Sequence, residues 1–193
     1  QCVAYSGSNV NDQDYVQWSD TVKSYLTVCD NGNYMRVQSG AIKGKLLVEY
    51  YSSDFEPLST KLIDNELPIF GAFYDSGNNY YVLSGQENPK QNDSLEVFRI
   101  TKYDKNWNKI KSCGLYGANT TVPFDAGSAR MTHSGDHLLV RTCHEMYKSS
   151  DGNNHQANVT IEVDMPSMTI TDSYTGVMNV DYGYVSQLSL IHI

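Results

Sequence analysis

Short runs in which apolar and polar residues alternate, broken by glycine, asparagine and aspartate, recur along the whole chain. "RITKY" (99–103) and "TIEVD" (160–164) alternate with a period of two rather than 3.6, which predicts half-buried strands and not helices. Three stretches align on a glycine: "YLTVCDNGNYMRVQ" (25–38), "GAFYDSGNNYYVLS" (71–84) and "ARMTHSGDHLLVRT" (129–142). Each reads as strand, polar turn, strand, with Gly32, Gly77 or Gly135 in the turn beside Asn or Asp residues that tolerate positive φ. A second strand–turn–strand unit follows each: "LLVEYYSSDFEPLSTKL" (46–62), "FRITKYDKNWNKIKSCGL" (98–115) and "VTIEVDMPSMTITDSYTG" (159–176).

Four strands in sequence, repeated at glycine spacings of 45 and 58 residues (77 minus 32, 135 minus 77), predict an all-β, β-propeller-like chain. Three four-stranded antiparallel blades are expected at 18–67, 68–124 and 125–178, with "YGYVS" opening a fourth at 179–187. Residues 1–17 read as the end of a preceding segment or a linker. Propellers need about four to eight blades, so the chain is expected to be an excerpt of a longer one. A β-sandwich is the competing architecture, but its strands do not repeat in this way. One segment stays ambiguous: "DYVQWSDTVKSYL" (14–26) fits a short helix with Tyr15, Trp18, Val22 and Tyr25 on one face as well as it fits a strand.

Composition narrows the function classes. A formal charge of −8 argues against nucleic acid and anionic membrane surfaces as partners. The mild basic run "TKYDKNWNKIK" (101–111) is interrupted by aspartate and reads as a solvated strand and turn. No apolar run approaches the roughly 20 residues that span a bilayer, so membrane insertion is not expected. Cys2, Cys29, Cys113 and Cys143 lack metal-type spacing and read as reduced, partly buried thiols. One reverse translation of the closing "LSLIHI", CTG TCT CTT ATA CAC ATC, resembles a transposase adapter used in sequencing libraries. Residues 188–193 are therefore read as adapter read-through, and His192 is excluded from every site.

The segments "ELPIFGAFY", "NTTVPFDAGSARM", "RTCHEMYKSSDGNNHQANVT" and "YGYVS" resemble a group of extracellular β-propeller-like repeat proteins of anaerobic Gram-positive bacteria. The resemblance spans roughly residues 14–187. It implies secretion or surface display and carries over no catalytic residue.

In an up-and-down sheet the second-to-third and fourth-to-first connections share one edge. The long connections "ENPKQNDS" (87–94), "CGLYGANTTVPFDAG" (113–127) and "HEMYKSSDGNNHQ" (144–156) all fall in those classes. Candidate chemistry is therefore expected at that end. His144 and His155 become cross-strand neighbours, roughly 5 Å apart at Cβ, if their hairpin turns at Ser149–Ser150. They separate by on the order of 13 Å if it turns at Asp151-Gly152, a favoured type I′ pair, and the sequence favours that second register. A metal site is not expected, because no third ligand stands at motif spacing; no cofactor is called for. Cys143 and Glu145 alternate to the face opposite His144.

In the loop before the third glycine unit, Asn119, Thr120, Thr121 and Asp125 are hydrogen-bonding candidates for sugar hydroxyls, with Tyr116 or Phe124 as a stacking platform. Against that, Pro123, Asp125 and Gly127 also suit a purely structural loop. Arg130 and Arg141, on neighbouring strands, need carboxylate or ligand partners, and Asp125 or Glu145 is expected to supply them. Three Asn-x-Ser/Thr sequons, at Asn92, Asn119 and Asn158, are discounted.

The expected ligand-binding set is thus His144, His155, Gln156, Asn119, Thr120, Asp125, Arg130 and Arg141. The expected function is non-catalytic binding of a glycan or cell-surface protein outside the cell. A polysaccharide hydrolase or lyase is the enzymatic alternative, using Asp125 and Glu145 or a histidine base. A structural spacer is the third.

Overall fold

The computed structural model describes residues 21–125 and 129–176. Among them every regular element is a strand and no helix occurs. Sheet 1 comprises β1 (Ser24–Val28), β2 (Tyr34–Ile42), β3 (Lys45–Tyr51) and β4 (Pro57–Asp64). Sheet 2 comprises β5 (Ile69–Asp75), β6 (Tyr80–Gly85), β7 (Glu96–Tyr103) and β8 (Lys109–Tyr116). After the short β9 (Thr120–Pro123), sheet 3 comprises β10 (Arg130–Ser134), β11 (His137–Lys148), β12 (Asn154–Asp164) and β13 (Thr169–Tyr174). Each sheet is an antiparallel meander in chain order, and β9 adds to sheet 3 by pairing with β11. The ambiguous 14–26 segment resolves, where described, as strand β1; Tyr15 and Trp18 lie outside the described residues, as do 179–187 and 188–193.

The sheets stack face to face in order. Met35, Val37, Leu46 and Val48 of sheet 1 meet Phe70, Phe73, Tyr80 and Val82 of sheet 2 in one core. Tyr81, Leu83, Phe98 and Ile100 from the other face of sheet 2 meet Leu138, Val140, Val159 and Ile161 of sheet 3 in a second. Sheet 2 is therefore covered on both sides. That is why "YYVLSG" of β6 is buried at every position instead of alternating. Strand β5 contacts β10 and β8 contacts β13, so sheets 2 and 3 are in step, first strand by first and fourth by fourth.

Gly32, Gly77 and Gly135 do take positive φ, at 79°, 90° and 56°. The third-to-fourth strand turns use a device the sequence conceals. In "SSDFE" the Phe55 N–H bonds the Ser52 carbonyl, and in "DKNWN" the Trp107 N–H bonds the Asp104 carbonyl. Phe55, Trp107 and, in the matching turn of sheet 3, Met168 all have positive φ, at 63°, 64° and 49°. A large side chain in that conformation costs on the order of 1 kcal/mol. Burial offsets it at Trp107, which packs against Phe73, Tyr80 and Tyr103, and at Met168 in the second core.

Candidate functional site

Strand β11 is twelve residues long and carries two partners along one edge. Its first half pairs with β10, from Ser134↔His137 to Arg130↔Arg141. Its far end pairs with β9, at His144↔Pro123, Glu145↔Val122 and Met146↔Thr120. The first strand of sheet 3 is thus divided. The sequence reading missed β9, taking Thr120–Pro123 for loop because of Pro123, which an edge strand tolerates. Phe124 then turns inward with φ 62° and packs edge-on against Phe98, ring centroids 5.5 Å apart. It is buried and offers no stacking platform to solvent.

Alternation along β11 sorts the remaining candidates. Leu138, Val140, Thr142 and His144 are fully buried. His144 Nδ1 lies 2.6 Å from the Thr120 hydroxyl, which is itself 2.8 Å from the Ala118 carbonyl. His144 and Thr120 are therefore internal to the fold rather than displayed to a ligand. Among the described residues Nε2 of His144 has no partner of good hydrogen-bond geometry, although the nearby Thr175 backbone favours a proton there slightly. Burial dominates and holds this imidazole down to about 4, from an ordinary 6.5.

The sign of the consequence is fixed. With the folded pKa below the unfolded one, the unfolded chain takes up the proton first, so stability is full above about 6.5 and falls as pH drops toward 4. The loss is expected to be on the order of 2–3 kcal/mol. Denaturant titrations across that window should show the slope in the wild type and its reduction in His144→Asn, whose amide can still reach Thr120.

Odd-numbered residues of β11 face the opposite side and build a polar ladder with β12. Arg141 Nη1 donates to Thr160 Oγ1 at 2.6 Å, Cys143 Sγ to Asn158 Oδ1 at 3.3 Å, and Glu145 opposes Gln156. Gln156 Nε2 donates to Asp125 Oδ2 at 2.6 Å, and the Thr121 hydroxyl donates to Glu145 Oε1 at 2.6 Å. The expected carboxylate partners of the arginines are thus engaged by neutral donors. Arg130 directly opposes Arg141, a like-charge pair across the strands, and its Nη1 bonds the Ala129 carbonyl. Burial pushes the Cys143 thiol up to about 11, so it is not a thiolate nucleophile at neutral pH.

The hairpin tip corrects the expected register. Asp151-Gly152 does not form a two-residue type I′ turn. Gly152 N–H bonds Ser149 O, Ser149 N–H bonds Asn153 O, and Gly152 has φ 84°, a three-residue loop ending in a left-handed glycine. With a bulge between Glu145 and Lys148, His144 opposes Ala157, and His155 stands two residues along β12 from that partner. Its side chain is 50% exposed, with Nε2 2.7 Å from Asp151 Oδ2. The Ser149 hydroxyl, the Asn153 N–H and His155 together hold the Asp151 carboxyl well below the usual range.

The long connections meet at this end of the sheets, where Asn119 and Thr121, expected from the sequence, join Asn88, Asp93 and Tyr147, which the sequence had not singled out. Asn88 N–H bonds the Thr121 carbonyl at 2.7 Å, and Asn88 Nδ2 donates to Tyr147 Oη at 3.0 Å. The Tyr147 hydroxyl donates to Asp93 Oδ1 at 3.1 Å, while the Tyr147 N–H reaches Asn119, whose backbone has φ 49°. Asn88 also closes its own loop, accepting from the Asn92 N–H. The Asn-Pro pair at 88–89 was the available signal. Around this knot Glu87, Lys90, Asp93, Asn119, His155 and Gln156 face solvent.

Comparison with known proteins gives fold rather than family. No protein-family model and no curated protein matches the sequence. Among solved structures the chain is similar to an ACO/RPE65 chimera, a β-propeller-like protein, with a TM-score of 0.52 and 11% identity over 80% of this chain and 38% of that one. It also matches a GH43 β-1,3-galactosidase with galactodeoxynojirimycin at a TM-score of 0.43 and 11% identity, covering 84% of this chain and 47% of that one. The second likeness is too distant to carry an inference. The chain spans less than half the length of either structure, and what the first similarity establishes is an all-β, propeller-like fold.

Proposed function

We propose that this chain is part of an extracellular β-propeller that binds a glycan or a cell-surface protein, without catalysis, where its long connections meet. The observation that carries the reading is the knot of Asn88, Asp93, Asn119, Thr121 and Tyr147, which ties three loops from two sheets into one preformed surface. Ordering such loops before binding removes a cost that flexible loops bear on association. The exposed groups around it are mixed amides, carboxylates and a histidine, suited to hydrogen-bonding hydroxyls or a polar protein surface.

The propeller reading draws support from the repeated turn anchors. Trp107 enters the core between sheets 1 and 2, and Met168 the core between sheets 2 and 3. Their counterpart Phe55 stands 60% exposed, stacked on Tyr34 with Leu26 and Val28 also exposed, where a further blade would receive it.

A glycan array and a whole-cell binding assay test the proposal. Binding that drops at least tenfold in Tyr147→Phe, which removes the hydroxyl joining Asn88 to Asp93, is the expected result. A protein that retains nothing in either assay overturns it. One observation favours a hydrolase as the second reading: Asp125 and Glu145 both border Gln156. Release of reducing ends from a polysaccharide, abolished by Asp125→Asn or by Glu145→Gln, would put that reading first.

A further inference from the structure

A second concavity lies at the other end of the sheets, among the short turns. It is an open cleft of about 310 Å³ between sheets 1 and 2, lined by Cys29, Asp30, Asn31, Asn33, Tyr50, Tyr80 and Lys105. The β1–β2 turn supplies one wall, and its shape is fixed by the Gly32 N–H bond to Cys29 O and the Asn33 N–H bond to Asn31 Oδ1. Tyr50 at the end of β3 and Tyr80 at the start of β6 supply the floor, and Lys105 from the β7–β8 turn closes one side.

Charge and hydrogen bonding within the cleft limit what it can take. Lys105 Nζ is bound by both oxygens of Asp75, at 2.9 and 3.0 Å, and sits 4.4 Å over the Tyr80 ring. The cleft's cation is therefore already neutralised, and it already covers the aromatic face a cationic ligand would seek. Asp30 adds a negative charge at the rim, which disfavours phosphate, sulfate or a uronate. Tyr80 is only 4% exposed and lines the cleft, and its hydroxyl is not among the polar atoms sealed from solvent without a partner, so it is open to a ligand from the cleft side. What remains is two neutral phenols and two neutral amides, with the Asp30 carboxylate as an acceptor at the rim and the Tyr50 ring beside them. A ligand that donates and accepts from adjacent positions and carries no charge meets all of them.

We infer that this cleft binds a single neutral sugar residue, with the Tyr80 hydroxyl as the contact at its floor and Asp30 accepting from a sugar hydroxyl. The site is independent of the long-loop surface and lies on the opposite end of the sheets.

Saturation-transfer NMR and calorimetric titration of the full chain with D-glucose, D-galactose, D-mannose and D-glucuronate test it. At least one neutral hexose is expected to bind with millimolar affinity, and glucuronate at least tenfold more weakly. Tyr80→Phe, which keeps the ring and removes only the hydroxyl, is expected to weaken that hexose at least tenfold with the melting temperature unchanged. Tyr147→Phe should leave hexose binding intact, which separates this site from the long-loop surface. No binding of any hexose, or an unchanged affinity in a folded Tyr80→Phe variant, overturns the inference.

Discussion

Replacing Phe124 by alanine is expected to cost about 3–5 kcal/mol of stability and to abolish binding at the long-loop end with it. The ring sits where sheet 2 has no side chains to hold it off. A Cβ built on Gly71 would lie 2.4 Å from Phe124 Cζ, and one on Gly85 would lie 2.8 Å from Cε2. Gly71 is also the residue at which β5 bulges against β6, between Phe70↔Ser84 and Ala72↔Leu83. Two glycines thus form a seat for one phenyl ring, and that ring anchors the end of β9. Gly71→Ala should then cost about 1–3 kcal/mol, because a buried ring cannot swing aside as a flexible chain end would. The pair gives a sharper check than either variant. In the Phe124→Ala background the obstructing ring is gone and only Leu83 Cγ, at 3.1 Å, stays close, so Gly71→Ala should cost at least about 1 kcal/mol less than in the wild type. Urea titration of the four proteins measures this. Additive losses would mean that Gly71 serves some other purpose.

The same two residues show what was legible in the sequence and what was not. Glycines in polar turns between alternating runs announce hairpins, because positive φ and period-two patterning are local properties. The three strand–Gly–strand units and their following pairs could be read directly for that reason. Gly71 sits inside an apolar run, and its role depends on a ring fifty-three residues away (124 minus 71), which no local pattern encodes. Phe55 and Trp107 occupy left-handed turn positions that composition assigns to glycine or asparagine, so their repeat passed unnoticed. At the candidate site, alternation correctly separated His144 from Cys143 and Glu145. It failed at the hairpin tip, where a bulge and a three-residue loop displace the register by amounts that a symmetric two-residue turn does not allow. The Asn-Pro pair marked a turn at Asn88, but its bond to Tyr147 could not be read because each residue's role is defined by the other's loop.

Glu49→Ala is expected to destabilise the chain by about 3–5 kcal/mol, although Glu49 stands far from the residues that knot the long loops. Its carboxylate is fully buried in β3 and accepts from Arg36 Nε at 2.6 Å, Gln38 Nε2 at 2.7 Å and the Tyr51 hydroxyl at 2.9 Å. Arg36 also reaches the Tyr51 hydroxyl at 3.3 Å, so donors converge on one acid. Removing the acid takes from the buried Gln38 amide and the Tyr51 phenol the acceptor they share, and from the partly exposed Arg36 its carboxylate partner. That penalty exceeds what the pair contributes by existing, because the cost of desolvating both charges has already been met in the folded state. Two comparisons separate this cause from lost packing. Glu49→Gln keeps the volume and can turn its carbonyl oxygen to Arg36 and Gln38 while its N–H donates to the Tyr51 hydroxyl oxygen, so it should recover much of the loss and isolate the part due to charge. Exchanging Arg36, Gln38 and Glu49 together for leucine, with Tyr51→Phe, removes the acid and all three of its donors and should cost far less than Glu49→Ala alone. Chemical denaturation of the three variants decides the matter. A Glu49→Ala loss below about 1 kcal/mol would mean that water reaches the network and that this face of sheet 1 is not held by charge.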